Sequence, residues 1–125
     1  MRSTVPVGQN STHMKPAIYH VKFTSSLPDS GEGLAVFKDG KINGGDPSYL
    51  YLGSYDVSGS GVTAKMKVKR WKPGATSVFG NLPEFELDLK GSVAADGSTF
   101  KVTGAIPQMP QTSITINGRK LSDAA

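Results

Sequence analysis

Apolar and polar residues alternate along most of this chain with a period of two. A β-strand sends successive side chains to opposite faces, so such a period marks one buried and one wet face. The clearest stretch is residues 62–69, where Val62, Ala64, Met66 and Val68 share one face and Thr63, Lys65, Lys67 and Lys69 the other. Residues 84–93 repeat the design, with Phe85, Leu87, Leu89 and Val93 set against Glu84, Glu86, Asp88 and Lys90. Phe100, Val102, Gly104 and Ile106 form a third such face, Tyr19, Val21 and Phe23 a fourth, and Ile114 and Ile116 alternate with polar residues over 113–117. Two runs break the pattern. Residues 34–37 and 49–52 are apolar on both faces, which predicts strands covered on both sides by a second layer, a loop or a partner.

Turn chemistry separates the runs. Asp39-Gly40 suits the positive φ angles of a two-residue hairpin. Ser58-Gly59-Ser60-Gly61 and Asp96-Gly97 join the next pairs, Asn117-Gly118 is expected to interrupt the last strand, and the prolines are expected between strands. Trp71 to Pro83 is the one long connection and has room for a helical turn. About seven strands joined mostly by hairpins make a meander, and a meander with one apolar face closes most simply into an up-and-down barrel without free edges. The prediction is therefore an all-β, small antiparallel lipocalin-like barrel, with a two-sheet β-sandwich as the alternative.

Composition adjusts this picture in few places. At 125 residues the chain suits one domain. Residues 1–14, polar and without an apolar stretch, are expected to be a mobile leader, with the barrel over 15–125. Fifteen glycines and eight prolines fit many tight turns. The absence of cysteine excludes disulfides, thiolate metal sites and cysteine nucleophiles. No apolar run approaches the roughly 20 residues of a membrane helix, so no membrane partner is expected.

The net charge is +4, and its most visible source is the row Lys65, Lys67, Lys69 with Arg70 and Lys72. The next strand offers Glu84, Glu86 and Asp88 on its wet face. Pairing of the two rows would neutralise most of the charge, since consecutive strands commonly pair; a nucleic-acid partner is not expected. His20 lacks a framed nucleophile and is read as an outward strand residue. Asp29, Glu32, Asp39 and Asp46 lack calcium-loop spacing. Asp39 suits the hairpin, and Asp46 before Pro47 suits an Asx turn, with Gly44-Gly45-Asp46 forming a bulge or corner. No cofactor, metal site or catalytic centre is predicted.

The aromatic residues leave two alternatives open. Tyr19, Phe23, Phe37, Tyr51 and Tyr55, with Met66, either fill the barrel or line a small-molecule or lipid cavity with phenol groups as polar handles. Leu50 and Leu52, on the opposite face of the Tyr51 strand, would suit a dimer interface.

The stretches Ile18-Tyr19-His20-Val21-Lys22-Phe23-Thr24, Gly31-Glu32-Gly33, Lys38-Asp39-Gly40-Lys41-Ile42-Asn43-Gly44-Gly45-Asp46 and Tyr51-Leu52-Gly53-Ser54-Tyr55 resemble the GrlR-like family, named for a negative regulator of type III secretion. The resemblance is best over residues 14–72. It implies a dimeric, cytoplasmic, non-enzymatic barrel that binds and restrains a regulatory protein, in the family partly through an acidic surface run. The corresponding stretch here is Asp56-Val57-Ser58-Gly59-Ser60, which keeps one acid. Asp56, Ser58 and Ser60, with Leu50 and Leu52, are therefore the expected partner contacts, and the partner itself stays open.

Overall fold

The computed structural model describes residues 15–25, 30–74, 84–107 and 109–125. They form eight strands: β1 Ala17–Ser25, β2 Ser30–Lys38, β3 Lys41–Gly45, β4 Tyr49–Ser58, β5 Gly61–Arg70, β6 Glu84–Val93, β7 Thr99–Ile106 and β8 Met109–Asp123. Each pairs antiparallel with the next, and β8 returns to β1, so the sheet closes into a barrel with no open edge. Closure settles the architecture as an up-and-down barrel and sets the sandwich aside.

The strand count is eight, one above expectation. The additional strand, β3, is five residues long and buries a single large apolar side chain, Ile42, before Asn43-Gly44-Gly45. One buried position cannot display an alternation, so its pairing with β2 and β4 identifies it. The β2–β3 connection is the predicted two-residue hairpin. Asp39 and Gly40 both have positive φ, 54° and 78°, the conformation whose twist matches that of the flanking strands.

Two expectations about punctuation are corrected. Asn117-Gly118 is no turn: β8 runs through it to Asp123. Gly118 faces inward, and a Cβ there would fall on the ring of Phe100 from the neighbouring strand. The glycine makes room for an aromatic ring. Pro110 also lies inside β8, one residue after its start, a position where a missing N–H costs little. The helical turn foreseen between Trp71 and Pro83 falls mostly outside the described residues, as does the leader over 1–14.

The inward positions of all eight strands form one core, from Tyr19 on β1 through Tyr51, Met66, Leu87 and Phe100 to Ile116 on β8. Gly104 also points inward, where a Cβ would meet the backbone carbonyl of Asp88. Such close approach of neighbouring backbones is the signature of a strand bent sharply enough to close a small barrel.

Candidate functional site

The interior and the outer face of β2–β4 are the two places where sequence features pointed to binding. Inside, Tyr19, Phe37 and Phe100 pack edge-on or tilted with centroids 5.0–5.3 Å apart, Tyr55 lies 5.0 Å from Phe37, and Phe23 lies 5.1 Å from Tyr51. These are the separations at which aromatic quadrupoles attract. All six residues predicted to line a cavity are buried. Phe23, Phe37, Tyr51 and Met66 surround the remaining space, whereas Tyr19 and Tyr55 pack away from it. That space is about 20 Å³ and its lining is wholly apolar apart from the Tyr51 ring. Ligand sites hold about 300–1,000 Å³, so the aromatics fill the barrel as a core.

The phenol groups are tied to the barrel's own backbone and loops. The Tyr19 hydroxyl donates to the Gly97 carbonyl at 2.6 Å. The Tyr51 hydroxyl donates to Asp46 Oδ2 at 2.5 Å, while Asp46 Oδ1 accepts from the amides of Ser48 and Tyr49 at 2.8 and 2.7 Å. The Asx turn read from Asp46-Pro47 is thus present and has a second task, as acceptor for a fully buried tyrosine. Trp71 closes the same corner, its indole N–H donating to the Asp46 carbonyl at 3.1 Å. Burial pushes the Tyr19 phenol up to about 12, helped by the nearby Tyr55 and Asp96. Burial also raises Tyr51, with the Asp46 hydrogen bond and charge adding to it, and raises Tyr55.

Outside, the doubly apolar runs of β2 and β4 are not covered by a second layer or loop among the described residues. Leu34, Leu50 and Leu52 are 50%, 40% and 42% exposed. Leu34 pairs with Gly45, which in turn pairs with Leu50, so nothing but a glycine separates the two leucines across β3. Val36, Asn43 and Leu52 form the next row. Sequence reasoning found Leu50 and Leu52 but not their neighbours Leu34 and Val36, because only the register of the short β3 brings them together. Asp56 and Ser58 continue outward along β4 from Leu52, and Ser60 lies in the following hairpin; all three are exposed. The five expected partner contacts therefore lie along one strand and its turn.

The basic row sits on β5 as the alternation required, opposite its acids: Lys65 pairs with Asp88, Lys67 with Glu86 and Lys69 with Glu84. Lys67 also reaches Glu84 diagonally at 3.5 Å. His20 faces outward and its Nε2 lies 2.6 Å from Glu32 Oε1. That hydrogen bond, then the histidine charge, holds the Glu32 carboxyl below its usual value. Among the described residues no cluster of three or more His, Asp or Glu side chains could hold a metal ion, and no helix is long and apolar enough to cross a membrane.

Over residues 14–124 the sequence matches the family described as T3SS negative regulator, GrlR. The chain belongs to this family. The GrlR match extends across nearly the whole barrel, beyond the N-terminal part where the resemblance was plainest. No curated protein matches the chain. Among solved structures, this GrlR-family barrel is similar to the isotype 1 transferrin binding protein B from serogroup B Neisseria meningitidis, with a TM-score of 0.56 and 11% identity. The likeness covers 88% of this chain and 26% of that one. The chain thus spans about a quarter of that protein's length, and the likeness is one of fold.

Proposed function

We propose that this protein is a non-enzymatic negative regulator, working in the cytoplasm by binding protein chains through the outside of its barrel, and that two copies pair through the apolar face of β2–β4. Membership of a family of type III secretion regulators supports the regulatory role. The observation that carries the binding mode is the row Leu34, Gly45, Leu50, flanked by Val36 and Leu52, exposed on a closed sheet that has no edge for strand addition. Clustered large apolar side chains lose water-exposed area only by docking. A closed, self-paired patch also satisfies the two-fold rule, since the same surface serves both copies. Asp56, Ser58 and Ser60 extend the same line of β4 and would form the polar rim.

The interior supplies the contrast. With about 20 Å³ free, a lipid or other small molecule would have to displace Phe23, Phe37 or Tyr51; Phe23 packs on Tyr51, which Asp46 holds, and Phe37 packs on Tyr19, Tyr55 and Phe100. Light scattering of the full chain tests the proposal: a mass twice the 13.2 kDa of one chain is expected, falling to one chain in Leu50→Glu/Leu52→Glu. A monomer at all concentrations would overturn the pairing.

A further inference from the structure

The basic row most visible in the sequence faces a row of acids in register on β6, and Lys67 forms an ion pair there with Glu84. The cations without an ion-pair partner among the described residues include Lys101 on β7, Arg119 on β8 and Lys22 on β1, all exposed. Register brings them together on the outer surface. Lys101 pairs with Asn117, which pairs with Lys22, and Arg119, two residues along β8, pairs with His20. They rim an open concavity of about 530 Å³, with Ser92, Thr99 and Asn117 supplying further polar groups. Among the described residues the acid bordering it is Glu32, opposite Lys22; its carboxylate is engaged by His20 at 2.6 Å and also feels the charge of Lys22.

We infer that this groove across β7, β8 and β1 binds an extended acidic segment of a partner protein. The spacing favours an extended chain. Neighbouring strands lie about 4.8 Å apart, which sets Lys101 and Lys22 about 10 Å apart across β8, and alternate residues of a strand lie about 7 Å apart. An extended peptide repeats its side chains on one face about every 7 Å, and each lysine lies roughly 8–9 Å from Arg119, one strand across and two residues along, a difference that long Lys, Arg and Glu side chains span. Nucleic acid fits less well: dedicated binders neutralise about 6–10 phosphates and offer exposed aromatic platforms, whereas this groove has three such cations and its one aromatic, Phe100, is buried. The inference rests on the protein-binding role proposed above and names the partner's chemistry. The groove's cations Lys101 and Arg119 lie on β7 and β8, away from β3, while its β1 edge adjoins the pairing face, because His20 pairs with Leu34.

The test is fluorescence anisotropy of a labelled peptide of alternating glutamate and serine, titrated with the full chain. Binding that weakens as salt rises is expected. Lys22→Gln/Lys101→Gln/Arg119→Gln should weaken it at least about tenfold, and Lys65→Gln/Lys67→Gln/Lys69→Gln, which removes the same charge from the paired rows, less than about threefold. Circular dichroism checks that both variants fold; all six positions are exposed strand residues. Equal losses in the two variants, or no binding by the native chain, would overturn the groove. Tighter binding of an oligothymidylate, lost in the same groove variant, would overturn its assignment to a protein partner. Neither groove result alters the mass measured by light scattering, so failure here and failure of the pairing are separately visible.

Discussion

The two halves of this barrel are built on opposite plans. Strands β1–β4 carry all four tyrosines inside, and they place Leu34, Leu50 and Leu52 outside. Strands β5–β8 are mainly aliphatic inside, with Val68, Leu87 and Ile116 among others, and wear Lys, Glu and Asp outside. The difference teaches where each half finds its stability and where it has surface to spare. In β5–β6 the outer face is largely complete in itself, because Lys65, Lys67 and Lys69 each face an acid on β6. In β2–β4 the outer face has apolar area with nothing among the described residues over it, while the inner face depends on hydroxyl groups that must reach specific acceptors at the barrel ends.

The largest expected effect comes from titrating the tyrosines. A phenol raised above its ordinary value near 10 keeps its proton in the folded state after the unfolded chain has lost it. The stability it contributes is therefore fully present below about pH 10 and is lost as pH rises through the folded value, about 12 for Tyr19. Tyrosinate absorbance and circular dichroism, followed together, should show ionisation of Tyr19, Tyr51 and Tyr55 coinciding with loss of the fold. Early ionisation of Tyr19, Tyr51 and Tyr55 in an intact barrel would erase the distinction between the halves.

Next in size is the outer apolar face. Leu50→Glu/Leu52→Glu should weaken self-association by about 2–4 kcal/mol, the scale of interface hot spots, while leaving the melting temperature of the single chain nearly unchanged, because both side chains are exposed. Sedimentation equilibrium measures the first and a thermal melt the second. Tyr51→Phe should destabilise the fold by about 1–3 kcal/mol, since a hydrogen bond to the Asp46 carboxylate is removed from a buried position; urea unfolding reads this directly. The smallest effect belongs to the charged half. Lys67→Glu puts like charges opposite Glu86 and near Glu84 and should cost about 0.2–1 kcal/mol, reduced further by salt. A larger loss there than in Tyr51→Phe would mean that the outer ladder, rather than the phenol anchors, secures the barrel.

The same contrast explains how much could be read in advance. The β5, β6 and β7 alternations name their inward residues correctly, because one face is apolar and the other charged, and a shift of one residue would bury lysines or acids. The hairpins at Asp39-Gly40 and Asp96-Gly97 were equally legible, since positive φ confines the choice of residue. Residues 34–37 and 49–52 told only that both faces are apolar, not that Leu34 and Leu50 meet across a glycine. The five aromatic candidates and Met66 lie in the interior, but whether such residues enclose a ligand space or fill it depends on how the rings interlock, which no single-strand pattern contains.

Sequence alone determined the strand faces, the tight turns and the closure-prone meander, because these depend on side-chain polarity and backbone φ within a few residues of each position. Tertiary structure decided the rest. It turned Asn117-Gly118 from an expected turn into a seat for Phe100, made Asp46 the acceptor for a tyrosine five residues away, and gathered Lys22, Lys101 and Arg119 from three strands into one groove. Each of these depends on the register between strands, and register is fixed by how the whole ring closes and not by any one segment.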